Sequence, residues 1–329
     1  MTRHWICLLL VFALLFTAVP ASAETASPLT VVATIFPQYD FVRAIAGDTG
    51  AVNLTMLLKP GAETHSYEPT PQDIIAIRNA DLFVYVGGES DAWVEDILSS
   101  MTDSAVKPLR LMDMVPTLTE ETVEGMQAEH EHEEGEEAHE EGEEAHEEGE
   151  EEAPELDEHV WTSPVNAAAM VDALCHEMSA LDEAHAAAYR ANADLYIEKL
   201  RALDEGFRAV VDTAKRKEFI FGDRFAQRYF AAEYGLTYYA AFPGCSTETE
   251  PSAQTVAFLI RKVREDGVPL VLYPELSTHK VADAISEETG VPTHIFYACH
   301  NLTADEFAAG KTYVDFMTEN LATLKEALN

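Results

Sequence analysis

The sequence predicts an α/β protein with two lobes joined by one long helix and a cleft between the lobes. Short apolar segments rich in β-branched residues, such as Leu29–Ile35, alternate with helical segments, as expected for buried parallel strands. This alternation occurs twice along the chain. Between the two series, Asp182–Ala214 is poor in glycine and proline and carries apolar residues at helical spacing. That pattern predicts a single linking helix, 182–214, of about nine turns.

The first series predicts an N-terminal lobe over residues 24–181. Lys59-Pro60-Gly61 closes its second strand, and Gly87-Gly88 closes its third. Thr70 is a capping residue, and Pro71 fits the first helical position. The predicted strands are Leu29–Ile35, Thr55–Leu58, Leu82–Val86 and Leu109–Leu111, and the predicted helices are Asp40–Ala46, one beginning at Thr70, Asp91–Ser99, and one from Ser163 to Leu181.

The second series predicts a C-terminal lobe over residues 215–329. Ligands of such sheets lie outside the carboxyl ends of the strands, so the loops after the strands are where a site is expected. The predicted strands are Glu218–Gly222, Leu236–Ala240, Pro269–Tyr273 and Thr293–Tyr297, and the predicted helices are Phe225–Glu233, Ser252–Asp266, His279–Thr289 and Ala304–Leu328.

Residues 1–23 are predicted to be a secretory signal peptide. Arg3 precedes the apolar run Ile6–Val19, and Ala21-Ser22-Ala23 is a small-residue cleavage site. No second long apolar segment follows, which predicts an exported protein, periplasmic or otherwise extracytoplasmic, that is soluble after cleavage. The mature chain then begins at Glu24.

Acidic residues dominate the composition, with 59 against 21 basic residues and a formal net charge of −38. This charge argues against nucleic acid as a partner and favours cations. Residues 118–158 contain no lysine or arginine and predict a disordered, acidic, histidine-rich loop in which EEGEEAH occurs twice. Its histidines suggest low-affinity metal binding, and the alternative is a solvated acidic linker. The loop histidines are His130, His132, His139 and His146.

Three further histidines lie where sites on α/β scaffolds are built. His65 follows the second predicted strand, His159 precedes a helix start, and His300 follows the last strand. Glu275 follows another strand and points toward the same cleft. Imidazoles with one carboxylate match four-coordinate Zn²⁺, although Mn²⁺ remains an alternative. Nearby carboxylates are predicted to accept the second ring N–H of these histidines. They are Glu63 and Glu68 near His65, and Asp157 and Glu158 near His159.

Several collinear stretches, which cover nearly the whole mature chain, resemble one family. They are GAETHSYEPTPQDI, DEHVWTSPVNAA, EYGLTYYA, PELSTHKVADAISEETG and TYVDFMTENLATLKEAL. Together they resemble the zinc/manganese substrate-binding proteins of ABC importers, and among them the zinc-uptake binding proteins with an acidic histidine-rich loop. The resemblance implies two Rossmann-like lobes on a backbone helix, a metal between them, and delivery to an ABC permease in the cytoplasmic membrane. It carries His65 and His159 over as the metal ligands of the N-terminal lobe.

The C-terminal lobe departs from the family pattern. Arg224 stands where the family places a ligand, and a guanidinium has no acceptor for a metal. Asp223 is therefore the alternative carboxylate ligand to Glu275. His300 falls near the place of the family's late aspartate. Arg224 is expected to pair with Glu275.

Three classes of function compete. The first is a monomeric binding protein that captures Zn²⁺ and hands it to a permease. The second is an exported zinc-dependent hydrolase, against which the sequence offers neither HExxH nor a serine nucleophile elbow. The third is a metal-buffering adhesin in which the acidic loop is the working part.

Cys245 and Cys299 both follow predicted strand ends in the C-terminal lobe. If the two strands are neighbours, their loops approach closely enough for a disulfide. The sequence therefore predicts a Cys245–Cys299 bond, with two free thiols as the alternative.

Overall fold

Two four-stranded parallel sheets, each flanked by helices, form the part of the protein that the structure describes. The structure is a computed structural model, and it describes residues 27–126, 155–246 and 250–329. The predicted signal peptide and the four loop histidines lie outside these ranges. Both sheets confirm the predicted α/β class.

The N-terminal sheet has the strand order β2-β1-β3-β4, with all neighbours parallel. Val31 and Val32 of the first strand are fully buried, because this strand is covered on both faces. The second and fourth strands begin earlier than predicted. The elements are β1 (Leu29–Ala33), α1 (Phe36–Ala46), β2 (Val52–Met56), α2 (Pro71–Arg78), β3 (Leu82–Tyr85), α3 (Ala92–Ser100) and β4 (Lys107–Arg110), followed by α4 (Pro164–Leu181).

The C-terminal sheet has the strand order β6-β5-β7-β8 and is also parallel. Its first strand runs three residues beyond the predicted end at Gly222, so Asp223 and Arg224 lie on a strand. The elements are α5 (Ala186–Asp212), β5 (Glu218–Phe225), α6 (Arg228–Tyr234), β6 (Thr237–Pro243), α7 (Ala253–Asp266), β7 (Val271–Tyr273), α8 (Lys280–Thr289), β8 (Thr293–Ile295), α9 (Ala304–Ala308) and α10 (Tyr313–Ala327).

The long helix α5 corresponds to the helix predicted over 182–214. Its 27 residues follow a turn at 182–185 and bury one stripe that includes Tyr189, Tyr196 and Phe207. It packs against α1 and α4 of the N-terminal lobe and against α10. Buried residues at spacings of three and four explain why sequence periodicity locates this helix. Within the described ranges, no helix is long and apolar enough to span a membrane.

The segment Ala304–Leu328 was predicted to end the chain with helix, and the structure confirms helix there but interrupts it. The chain forms two helices, α9 and α10, with Gly310 at a φ of 72° between them. A glycine adopts this conformation without the strain that a side chain would add. Thr312 then begins α10, because its hydroxyl accepts from the backbone N–H of Asp315.

Backbone and side-chain hydrogen bonds join the two lobes directly. The backbone N–H of Tyr313 donates to Asp40 Oδ2 at 2.8 Å, and Trp161 Nε1 donates to the carbonyl of Ala298 at 2.7 Å. The N–H of Phe36 donates to the carbonyl of His300 at 3.2 Å. The loop that carries His300 is therefore held by the N-terminal lobe as well as by its own sheet.

The predicted Cys245–Cys299 disulfide is wrong, since Cys175, Cys245 and Cys299 are all free thiols. The two strands concerned, β6 and β8, lie at opposite edges of their sheet. Three strand spacings separate them by about 14 Å, whereas the Cα atoms of a disulfide lie within about 7 Å. The order of strands in a sheet decides this question, and the sequence does not state that order.

Candidate metal centre

His65, His159 and His300 come together from three separate loops. His65 lies between β2 and α2, His159 lies shortly before α4, and His300 follows β8. The ring centroids are 5.7 Å apart for His65 and His159, 5.3 Å for His65 and His300, and 4.7 Å for His159 and His300. One nitrogen from each ring lies within 4.8 Å of the other two. Nitrogens at these distances can converge on one metal ion.

Two of the histidines have a buried ring nitrogen without a hydrogen-bond partner among the described residues. The Nε2 atoms of His159 and His300 are buried and accept no hydrogen bond from the described residues. A buried polar atom without a partner is costly, and it indicates a missing ion or ligand. The backbone of Gly244 lies so close to His159 that an added Cβ would be 2.9 Å from its Cε1. This close approach fixes the position of the ring.

Two of the histidines present Nδ1 directly to a carboxylate. His159 Nδ1 lies 3.1 Å from Asp157 Oδ1, as the sequence predicted. His300 Nδ1 lies 3.4 Å from Glu275 Oε1. A carboxylate at Nδ1 holds the proton there, which leaves the Nε2 lone pair for a metal.

His65 reaches its carboxylate through a hydroxyl that the sequence did not single out. Ser90 Oγ donates to Glu158 and accepts from His65 Nδ1 at 3.1 Å. Glu158 Oε1 is itself 3.4 Å from His65 Nδ1. Glu158 therefore serves His65, not its sequence neighbour His159 as expected. Ser90 lies just after Gly87-Gly88 at a strand end, which was the only available signal.

The carboxylates proposed from sequence as ligands have other partners in the structure. Glu275 Oε1 accepts from the backbone N–H of His300 at 2.7 Å, and its Oε2 accepts from Ala298 at 2.6 Å. Asp223 accepts from the hydroxyl of Ser277 and from the N–H of Arg224. Neither Glu275 nor Asp223 belongs to the group of possible ligand atoms formed by the three histidines, whereas Glu158 and Cys245 form a second group with His159.

The sequence suggested that Arg224 pairs with Glu275, but in the structure it does not. Its Nη1 lies 3.2 Å from Glu63 Oε1, which belongs to the other lobe. Glu275 is unavailable because it faces the loop of His300. The pair between Arg224 and Glu63 lies at a cavity of about 290 Å³ that His65 and His300 also line.

Charges around the centre shift several pKa values. Burial opposes ionisation of Glu158, but hydrogen bonding from His65 and the charge of His159 outweigh it and lower its pKa to about 2. Burial also opposes protonation of His159, yet Asp157 outweighs it and raises the pKa of His159. Burial, helped by the neighbouring histidines, lowers the pKa of His300 to about 4. A carboxylate thus lies near Nδ1 of each of the three histidines.

Two α/β lobes with a cluster of histidines between them are the architecture of two-lobed solute-binding proteins whose pocket can bind a metal. The chain belongs to the ZnuA family, described as zinc-uptake complex component A, periplasmic, whose family model matches residues 31–327.

Known relatives and a solved structure agree with this assignment. The high-affinity zinc uptake system protein ZnuA of Bacillus subtilis is 35% identical over 329 residues, which cover 98% of this chain and 95% of that protein. The zinc-binding lipoprotein AdcA of Streptococcus pneumoniae is 33% identical over 316 residues, which cover 95% of this chain. The match spans 58% of the length of that relative. The Zn(II)-bound ZnuA-like domain of S. pneumoniae AdcA has a TM-score of 0.72 at 29% identity, covering 92% of this chain and 99% of that domain.

Proposed function

We propose that the protein is the extracytoplasmic solute-binding component of an ABC importer, which captures Zn²⁺ and delivers it to a permease in the cytoplasmic membrane. The observation that carries the proposal is that the buried Nε2 atoms of His159 and His300 have no hydrogen-bond partner in the part of the chain that the structure describes. His65 completes the set of three ligands. Membership of the zinc-uptake family supports zinc as the cargo.

The donor set favours zinc over manganese. Three neutral imidazoles suit Zn²⁺, whereas Mn²⁺ favours carboxylate, carbonyl and water oxygens. The three nearest carboxylates, Asp157, Glu158 and Glu275, engage the Nδ1 side of the rings. A hydrolase would in addition need a base directed at a metal-bound water. The arrangement therefore supports capture of Zn²⁺.

Metal stoichiometry tests the proposal. Protein purified without added metal is expected to carry one tightly bound zinc, and competition among Zn²⁺, Mn²⁺ and Cu²⁺ should rank Zn²⁺ above Mn²⁺. Elemental analysis and a chelator competition give both results. Preference for Mn²⁺, or the absence of any tight equivalent, would contradict the proposal.

Acidity should weaken zinc binding chiefly through His159. Its raised pKa means that a proton competes with zinc for Nε2 at and above the ordinary histidine value of 6.5. The pKa of His300, lowered to about 4, keeps that ring neutral until the pH approaches that value. Apparent zinc affinity is thus expected to fall as the pH drops below neutral, with proton release on binding.

The Asp157→Asn variant provides the check on this pH dependence. Removing the carboxylate takes away the main cause of the raised pKa of His159, so the midpoint of the affinity profile should move to lower pH. Calorimetry in two buffers of different ionisation enthalpy measures the protons released. An unchanged midpoint would mean that His159 is not the titrating group.

The acidic loop is proposed to assist capture without forming the transport site. Residues near the two ends of the predicted loop, 118–158, are hydrogen-bonded to each other. The N–H of Glu120 donates to the carbonyl of Glu155 at 2.9 Å, and that of Asp157 donates to the carbonyl of Leu118 at 2.9 Å. Thr119 and Leu156 form an antiparallel bridge at the same place. Asp157, which lies 3.1 Å from Nδ1 of His159, belongs to this paired segment.

Deleting Glu129–Glu152 is therefore expected to remove weak zinc equivalents and leave the tight one unchanged. His130, His132, His139 and His146 are all lost in this variant. Titration calorimetry resolves the two kinds of site, and circular dichroism checks the fold. If the tight equivalent disappears as well, a residue of the loop is a ligand of the centre.

A further inference from the structure

The centre has fewer protein ligands than zinc needs. Zn²⁺ in proteins is almost always four-coordinate, but the group formed by His65, His159 and His300 supplies three nitrogens. Among the described residues, Glu158 and Cys245 form a separate group with His159, and no carboxylate or thiol joins the three-histidine group. Glu275 has both oxygens in hydrogen bonds to backbone N–H groups. The fourth donor has to come from outside this set.

The space next to the histidines is larger than one water requires. The cavity of about 290 Å³ opens on His65 and His300, whereas a single water needs only about 10–15 Å³. The cavity passes between the lobes, with Glu63 on one side and Arg224 on the other. A small organic molecule fits there together with the metal.

Two cationic side chains, those of Arg224 and Lys280, line this cavity. The side chain of Arg224 is 18% exposed, and within the described residues its one ion pair is with Glu63. Lys280, the first residue of α8, lines the same cavity and forms no ion pair with a described residue. A guanidinium next to a dication is repelled unless an anion lies between them. Its planar set of donors matches a carboxylate.

The acidic residues that line the cavity do not remove the preference of Arg224 for an added anion. Both oxygens of Asp223 have donors in its own lobe, namely Ser277 and the N–H of Arg224. Glu250 lies exposed. Among the described residues, Glu63 is the one carboxylate that forms an ion pair with the guanidinium of Arg224, and its Oε1 also accepts from the N–H of His65 at 3.3 Å. Glu63 is therefore the carboxylate of the protein that competes with an added anion for the fourth coordination position of the metal.

We propose that the centre binds its metal together with a small carboxylate anion, which supplies the fourth donor and pairs with Arg224. This inference rests on the proposed function, since it assumes metal at the three histidines. The cargo is then a metal–carboxylate complex, and Arg224 occupies a position from which it selects the anion.

Cobalt substitution tests this inference. Co²⁺ replaces Zn²⁺ in nitrogen sites, and its visible absorption bands respond to a change of the fourth donor. Apoprotein loaded with one equivalent of Co²⁺ in a buffer free of carboxylates is titrated with acetate, and with chloride for comparison. We expect a saturable spectral change with acetate. Arg224→Gln should weaken the acetate response at least tenfold, and Arg264→Gln, an exposed arginine on α7, should not.

The Glu63→Gln variant distinguishes Glu63 from the added anion as the fourth donor. If Glu63 were the fourth donor, this substitution alone would change the cobalt spectrum and the parent would not respond to acetate. That result, or equal acetate responses in Arg224→Gln and Arg264→Gln, overturns the inference. Failure of Co²⁺ and Zn²⁺ to bind at one equivalent would instead overturn the proposed function.

Discussion

Tight zinc binding is expected to disappear when His65, His159 or His300 is replaced by alanine. Removing only an outer partner of a metal-bound histidine costs about 10–100-fold in affinity, so the loss of a ligand should exceed about 100-fold. Two remaining imidazoles cannot hold Zn²⁺ in a four-coordinate site without two added donors. Chelator competition with each purified variant gives the affinity.

The matched control is His185→Ala. His185 also pairs through Nδ1 with a carboxylate, Asp182 Oδ2 at 2.8 Å, but its side chain is 38% exposed and lies outside the centre. This variant should bind zinc like the parent. Parental affinity in His159→Ala would refute the proposed centre. If only the His300→Ala variant kept the zinc affinity of the parent, the ligand of the C-terminal lobe would lie elsewhere, and Asp223 would be the first candidate.

The second large effect is expected for Glu275→Gln, which keeps the size of the side chain and removes its charge. Glu275 accepts from two backbone N–H groups and faces Nδ1 of His300. An amide presents an NH₂ group to one of these donors, so the loop loses a hydrogen bond and His300 loses the carboxylate that orients it. Zinc affinity should fall about 10–100-fold. Leaving a buried donor without a partner also costs about 1–3 kcal/mol of stability.

Both consequences have to be measured for Glu275→Gln, by chelator competition and by thermal unfolding of the metal-free protein. Asp182→Asn is the control, because it removes the carboxylate from His185 at the surface. A lower melting temperature with unchanged zinc affinity would show that Glu275 only supports the loop. We propose that it orients a ligand, in contrast to the direct ligation suggested by its place after a strand.

Local patterns sufficed to predict most elements and to single out three histidines as candidate ligands. The stripe of α5 and the apolar strands are periodic signals within short windows, and His65, His159 and His300 all stand at strand ends or helix entries. Chain topology of this kind limits where a site is built. The three histidines lie close together in the structure, and their role as ligands of one metal stays a prediction.

Long-range pairing could not be predicted in the same way. Glu158 partners His65 through Ser90, Arg224 pairs with Glu63 across the cleft, and β6 and β8 lie at opposite edges of a sheet. Each of these facts depends on how distant segments pack, and packing is not encoded in the spacing of one segment. Which side chains contact the three histidine rings is therefore decided by the tertiary structure.

The hydrogen bond from Phe36 to the carbonyl of His300 has a mechanical consequence. It fastens a residue from one lobe to the backbone of the other, and Asn301 adds bonds to the carbonyls of Lys59 and Ala62 at 2.8 and 2.9 Å. Parting the lobes would pull His300 away from the other two rings and break these bonds at the same moment. Emptying the pocket by parting the lobes therefore requires these bonds between the lobes to break.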